Sequence, residues 1–166
     1  MARLVPVTAV AGGPVTRAAI RRCTSTDTPG WLEQRTALWP ECSRDQHLAE
    51  MAAWLDDPER RIALVAPGDD GVAIGFAEAS VRHEPVIGAT TTPVGFLEGI
   101  HVAPGWRRRG VARRLVAAVE DWAVARGCRE LVSDAAPDNA ASHDFHRAAG
   151  FVETERCVLF SRRLEP

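Results

Sequence analysis

With 166 residues, 25% of them charged and a formal net charge of -2, the chain has the length of one domain whose core needs no covalent staples. That balance argues against a general nucleic-acid binder, which carries a basic excess, and no run reaches the roughly 18 apolar residues of a membrane span. Cys23, Cys42, Cys128 and Cys157 are scattered without a Cys-x-x-Cys pair, so no metal or redox motif is signalled; they fit reduced packing residues of a cytoplasmic protein.

Residues 1–17 contain Gly12, Gly13 and Pro14 and lack a charged start followed by an apolar run, so a loose extension is expected ahead of a single domain over 18–166. Ala18 to Cys23 reads as a first strand. Thr26-Asp27-Thr28-Pro29 offers a cap and a first-turn proline for a helix that carries Trp31, Leu32 and Leu38 and stops at Pro40. Ser43 caps a second amphipathic helix, with Leu48, Met51, Ala52 and Leu55 at helical spacing up to Asp57-Pro58. Ile62 to Ala66 and Val72 to Ser80 are two strands of a hairpin, joined by Pro67-Gly68-Asp69-Asp70-Gly71. From Val81 to Pro93 the pattern dissolves into a loop of the kind that borders a site.

Val94 to Val102 is β-branched, aromatic or small apart from Glu98 and His101, and predicts a buried central strand ended by Pro104 and Gly105. Val111, Leu115, Val119 and Trp122 then recur at the helical period, with Gly127 as the stop. Leu131 to Ser133 is a short strand parallel to the central one, Asp138 to Ala149 a helix closed by Gly150, and Phe151 to Phe160 a last strand.

The informative anomaly is the start of the long helix. A helix N-terminus carries roughly half a positive charge and unpaired N–H groups, yet Arg107, Arg108, Arg109, Arg113 and Arg114 crowd it. The arrangement makes sense if a pyrophosphate sits there, with Gly110 and Ala112 leaving it room; the bland alternative is a solvated basic face. Neither a P-loop nor a Gly-x-Gly-x-x-Gly dinucleotide fingerprint is present.

Arg107-x-x-Gly110-x-Ala112, between a strand and a long helix, resembles the acetyl-CoA signature of the GNAT acyltransferase superfamily. Asn139 followed by His146-Arg147-Ala148-Ala149-Gly150-Phe151 resembles a second GNAT segment. Phe96-Leu97-Glu98-Gly99-Ile100, Ser133-Asp134-Ala135-Ala136 and Gly150-Phe151-Val152-Glu153-Thr154-Glu155-Arg156 look like single-domain aminoglycoside 6'-N-acetyltransferases. The resemblance implies an α+β, three-layer fold: a mostly antiparallel mixed sheet with a parallel central pair, flanked by helices. It also implies acetyl-CoA as co-substrate, an aminoglycoside as acceptor, no metal, no nucleic-acid or membrane partner, and a homodimer.

Carried over by position, the backbone of Ile100, His101 and Val102 would pair with the pantetheine, Arg107, Arg108, Arg109, Gly110, Val111 and Ala112 would hold the pyrophosphate, and Asn139 would contact the cofactor arm. Trp39, Glu98, Asp134 and Glu155 would form the antibiotic's pocket. A hydroxyl-studded polycation needs such carboxylates and an apolar plate. Each has a plainer alternative: an arginine pair for Glu98, a capping turn for Asp134, a solvated edge for Glu155, core packing for Trp39.

A thioester is already a good acyl donor, so the chemical task is to present a neutral amine and stabilise an oxyanion. Glu98 or Asp134 would accept the amine's proton, directly or through water, and Gly99 would mark a bulge that re-aims backbone groups. The chain has no tyrosine, and His146 stands where GNAT enzymes often place a tyrosine as proton donor to the leaving thiolate; it is either that donor or a packed helix residue. Pro85 stands where related enzymes offer an aromatic to the antibiotic. The same cofactor half would serve an acetyltransferase of polyamines, small amines or protein N-termini. From another class, it would serve a catalytically silent acyl-CoA-binding module.

Overall fold

The computed structural model describes residues 19–164, so the extension expected over residues 1–17 lies outside the described residues. Five strands, β1 (Arg21–Arg22), β2 (Arg61–Pro67), β3 (Ala73–Arg82), β4 (Val94–Val102) and β5 (Leu131–Ser133), lie side by side in chain order. The first four run antiparallel and β4–β5 is parallel. Four helices accompany them: α1 (Thr28–Leu38), α2 (Arg44–Asp56), α3 (Val111–Val124) and α4 (Ala140–Ala148).

The pleat of β3 sorts its side chains between two cores. Ala77, Ala79 and Val81 point to the face covered by α3, where the helix's own stripe, Val111, Leu115, Val119 and Trp122, is at most 6% exposed. Burying each of these large side chains contributes about 1.5–3 kcal/mol. Phe76 points to the opposite face, against Trp31, Leu32 and Met51 of α1 and α2. The result is the expected three layers, helix, mixed sheet, helix. Local signals set the ends: Ser43 and Gln46 form a reciprocal capping box at α2, and Asn139 caps α4 by accepting from the Ser142 N–H at 3.0 Å.

Two expected strands are corrected. The first, read over Ala18 to Cys23, pairs only through Arg21 and Arg22 with Val65 and Leu64. The last, read over Phe151 to Phe160, forms no strand: a strand needs a neighbour for its N–H and C=O groups, and the described residues offer this segment no ladder. Its alternating apolar residues therefore stand in solvent, Phe160 at 93% exposure. The two helices read as simply amphipathic also bury polar residues, Gln34 and Arg35 on α1 and His47 on α2.

The expected irregularity beside Gly99 is present. Leu97 pairs with Ala79 and Gly99 with Glu78, so Glu98 is the extra residue of a bulge in β4. The β4–β5 pairing covers only Gly95 to Leu97 against Leu131 to Ser133. The pairing of the two parallel strands ends at Leu97, and Phe96 with Leu131 to Asp134 lines a cavity beside it.

Candidate active site

The candidate coenzyme side is the turn between β4 and α3. Arg107 folds back, its Nε donating to the Val102 carbonyl at 3.0 Å. Arg108 adopts φ +58° and Gly110 φ +79°, two left-handed residues that wrap the chain around the helix start. A side chain at Gly110 would meet nothing within 4 Å, so the glycine is required by its φ and the space above it is open. The first N–H groups of α3 have no carbonyl a turn earlier to bond. Among the described residues Arg108, Arg109 and Arg113 have no carboxylate partner, and Arg109 instead lies over the Trp106 ring. Open space, free N–H groups and unpaired guanidinium groups are what a pyrophosphate needs, so this turn fits the phosphates of acetyl-CoA.

Of the strand residues expected to face the cofactor arm, Ile100 packs against the α3 core and Val102 is buried, while His101 is fixed by its neighbours. Gln34 Nε2 donates to the Ala73 carbonyl, which turns Gln34 Oε1 toward His101 Nδ1 at 2.9 Å. His101 therefore carries its proton on Nδ1, and Nε2 faces Arg107 Nη2 at 3.5 Å. Burial, then the Arg107 guanidinium, hold this imidazole below its ordinary value. Asn139 spends its side-chain oxygen as the α4 cap.

The candidate acceptor side is a cavity of about 910 Å³. Arg82 and Phe96 line its sheet wall, loop 83–93 a second wall, and Asp134, His146 and Glu155 the remainder. Asp134 and Glu155 are exposed, and among the described residues neither has a hydrogen bond or ion pair. The capping role open to Asp134 belongs to Asn139 instead. Glu98 is paired: Ser80 Oγ donates to its Oε1 at 2.5 Å, and Arg82 Nη2 to both oxygens at 2.9 and 3.0 Å. Arg82 is itself stacked 3.5 Å over Phe96 and joins Glu98 to the cavity wall. The arginine pair is thus present, and at 27% exposure its carboxylate still meets water.

Trp39 is not brought into this cavity. It lies on the α1 face over Gly99, where a Cβ would come within 2.5 Å of its ring. Phe76 meets it edge-on and the Arg35 guanidinium sits 4.7 Å from its centroid. His146 lines the cavity with both ring nitrogens engaged. Its Nδ1 donates to the Ser142 carbonyl at 2.7 Å, and its Nε2 lies 3.0 Å from Ser133 Oγ, which in turn donates to the Leu97 carbonyl. Phe145 and Phe151 hold the ring edge-on from two sides.

One functional support escaped sequence reasoning. Glu78, 1% exposed, accepts from both Arg35 Nη1 (2.5 Å) and Trp31 Nε1 (2.8 Å), and Arg35 also pairs with Glu50. Burial pushes the Glu78 carboxyl up, and Arg35 and Trp31 oppose it. This pair sits opposite Gly99, beneath the bulge and beside Trp39. The available signal was a lone carboxylate in the apolar run Ala73 to Val81, the same signal that singled out Glu98.

Comparison with known proteins agrees with this geometry. The family model described as acetyltransferase (GNAT) family matches residues 28–151. An aminoglycoside N(6')-acetyltransferase type 1 of Salmonella enteritidis is 45% identical over 144 residues, 87% of this chain and 98% of that protein. One of Stenotrophomonas maltophilia is 45% identical over 147 residues, 89% of this chain and 94% of its own. Among solved structures, AAC(6')-Iy with a CoA bisubstrate analogue of acetylneamine superposes with a TM-score of 0.82 at 45% identity, covering 87% of this chain and 97% of that one. The same enzyme with CoA gives 0.84 at 42% identity, with coverage of 95% and 100%.

Proposed function

The chain belongs to the acetyltransferase (GNAT) family, and on that premise we propose that it moves the acetyl group of acetyl-CoA to the 6'-amine of aminoglycoside antibiotics, conferring resistance. Direct attack occurs with both substrates bound. The observation that carries this reading is the pair of unlike surfaces attached to β4: an arginine-rich helix start after its end, and an acid-lined cavity walled by its Phe96 and by β5.

Each residue then has a task. The turn from Arg107 to Ala112 binds the phosphates, and the backbone of Ile100 to Val102, past the end of the β5 pairing, offers strand edge to the pantetheine. Asp134 and Glu155 attract and orient the polycation. Asp134 or Glu98 takes the proton of the incoming ammonium; Asp134 has no partner among the described residues to displace, whereas Glu98 does so within its Arg82 and Ser80 contacts. Negative charge developing on the acetyl oxygen is met by backbone N–H freed at the bulge. On the leaving side His146 in its imidazolium form is the proton source: its Nε2–H, which Ser133 Oγ accepts at rest, passes to the departing thiolate and leaves the neutral ring bonded through Nδ1–H to the Ser142 carbonyl. Trp39 supports the bulge through Gly99 and acts on the acceptor only through that strand. Asn139 meets the cofactor arm with the amide nitrogen left over from capping.

The functional assembly is a homodimer. Support comes from the tail after α4, where Val152, Val158, Leu159, Phe160 and Leu164 are all at least 76% exposed, a surface that a second copy would cover. A cytoplasmic location suits four free cysteines and an acetyl-CoA-dependent reaction. Among the described residues no helix is long and apolar enough to cross a membrane.

A thiol-release assay with acetyl-CoA and a panel of kanamycin, tobramycin, an analogue bearing hydroxyl in place of the 6'-amine, and spermidine tests the reading. Turnover on the first two and none on the hydroxyl analogue is expected. Turnover on spermidine alone would replace the antibiotic with a polyamine. Silence on all four, with acetyl-CoA still bound, would point to another acceptor or a silent binding module.

A further inference from the structure

Loop 83–93, whose residues Glu84 to Gly88 line the acceptor cavity, is tied at its far end by the side chain of Glu130, which lies outside the loop. Glu130 stands on the turn between α3 and β5. Its carboxylate accepts from the Thr90 N–H at 2.9 Å and the Thr90 hydroxyl at 3.0 Å, and from the Thr91 N–H at 2.6 Å and the Thr91 hydroxyl at 2.5 Å. Four donors from two adjacent residues converge on one carboxylate. The Thr91 hydroxyl first, then the Thr90 N–H, hold that carboxyl below its ordinary value. The Glu130 main chain is committed as well, its carbonyl accepting from the Gly95 N–H at 3.0 Å as β4 begins.

Glu130 therefore joins three things: the end of the loop, the start of β4 and the start of β5. The loop's other part, Glu84 to Gly88, lines the cavity and rests on the tail after α4; a Cβ at Gly88 would come within 2.7 Å of Thr154 Oγ1. Bonds to an ionised acceptor are among the stronger ones available at a protein surface. Nothing else among the hydrogen bonds of the described residues ties Thr90 or Thr91 to the body of the fold.

We infer that Glu130 is a positioning residue for the acceptor: by clamping Thr90 and Thr91 it sets where loop 83–93 stands and so fixes the shape of the cavity that receives the amine substrate. The inference rests on the acetyl-transfer reading for its choice of probe. Glu130 itself borders that cavity, and its hydrogen bonds among the described residues reach Thr90, Thr91 and Gly95 and none of residues 100–112, so the clamp acts on the acceptor and not on the coenzyme.

The test compares full-length wild type with Glu130→Ala and Glu130→Gln, reading KM for kanamycin, KM for acetyl-CoA and amide hydrogen exchange at Thr90 and Thr91. Glu130→Ala is expected to raise the kanamycin KM by about tenfold or more and to leave that for acetyl-CoA within about twofold, with exchange protection of both threonines lost. Glu130→Gln falls between, because its amide keeps an accepting oxygen but turns an NH2 toward donors. A paired Thr90→Val and Thr91→Val variant removes the hydroxyls, keeps the carboxylate, and should shift the kanamycin KM in the same direction by less; it carries the test if Glu130→Ala fails to fold. An unchanged kanamycin KM, an equal rise in both KM values, or retained protection in Glu130→Ala would overturn the inference. If wild type turns over no aminoglycoside, the functional reading fails by itself, and protection at Thr90 and Thr91 in Glu130→Ala still decides whether the clamp exists.

Discussion

The turn proposed to receive the coenzyme comes from one continuous stretch, Ile100 to Ala112, whereas the proposed acceptor cavity is assembled from β3, β4, loop 83–93, β5, α4 and the tail beyond it. The first is shaped by local backbone geometry: two left-handed residues, a helix start, and Arg108 and Arg109 with no carboxylate partner among the described residues. The second depends on long-range ties, Glu98 to Arg82 across two strands, Ser133 to His146 across a helix, and Glu130 to Thr90 and Thr91 across 40 and 39 residues. A continuous site tolerates change elsewhere in the fold, and an assembled one does not. Substitutions should therefore separate the two halves unless they strike what both share.

The change that strikes both has the largest expected effect. Glu78→Ala would leave Arg35 buried at 2% exposure without its main partner, beneath the β4 bulge. Breaking a buried ion pair this way costs about 3–5 kcal/mol, so denaturant unfolding should show that loss and both substrates should bind less well. If only one substrate were affected, the two halves would not share this support. Gly110→Val is smaller and local. Holding a β-branched residue at φ +79° costs about 1–2 kcal/mol, and its side chain fills the space over the helix start. The KM for acetyl-CoA should rise while that for kanamycin holds, and a matching rise in both would break the comparison.

The smallest effect belongs to a site remote from both halves. The Arg21 hydrogen bonds hold the Asp27 carboxyl down to about 2, below its ordinary value, with Thr24 adding to the effect. Because the folded value is the lower one, the stability it supplies is present above about pH 4 and is lost as pH falls toward 2. Arg21 is 46% exposed, so solvent screening keeps that contribution below about 1 kcal/mol. Asp27→Asn should lower the thermal midpoint slightly at pH 6 and not at pH 2, with kinetics unchanged at neutral pH.

How much of this was legible follows the same division. The turn after β4 could be read because its signals are neighbours in sequence: Pro104 and Gly105 after a strand, arginines at a helix start, Gly110 where the backbone turns left-handed. β4 and β5 have the bounds their composition predicts. The acceptor side was read only in part. Asp134, Glu155 and His146 do meet in one cavity, but Trp39 sits over Gly99 on the α1 face, since only the pleat and the bulge decide which side of the sheet a residue sees. Glu78 and Glu98 give the same signal in sequence, a lone carboxylate in an apolar strand; one is sealed under α1 and the other half-open beside Arg82. The clamp by Glu130 was invisible because its partners lie 40 and 39 residues away in a loop without periodicity. The tail misled for a related reason: Val152, Val158 and Phe160 look like strand residues, but strand formation requires a partner edge that the described residues do not supply.

The central claim is that the two halves serve two substrates, and calorimetric titration of Asp134→Asn with acetyl-CoA and, separately, with kanamycin tests it most directly. The account predicts acetyl-CoA affinity within about twofold of wild type and kanamycin affinity lower by about tenfold or more, as expected when a charged contact in a partly desolvated site is lost. Equal weakening of both ligands, or kanamycin binding left at its wild-type strength, would contradict it.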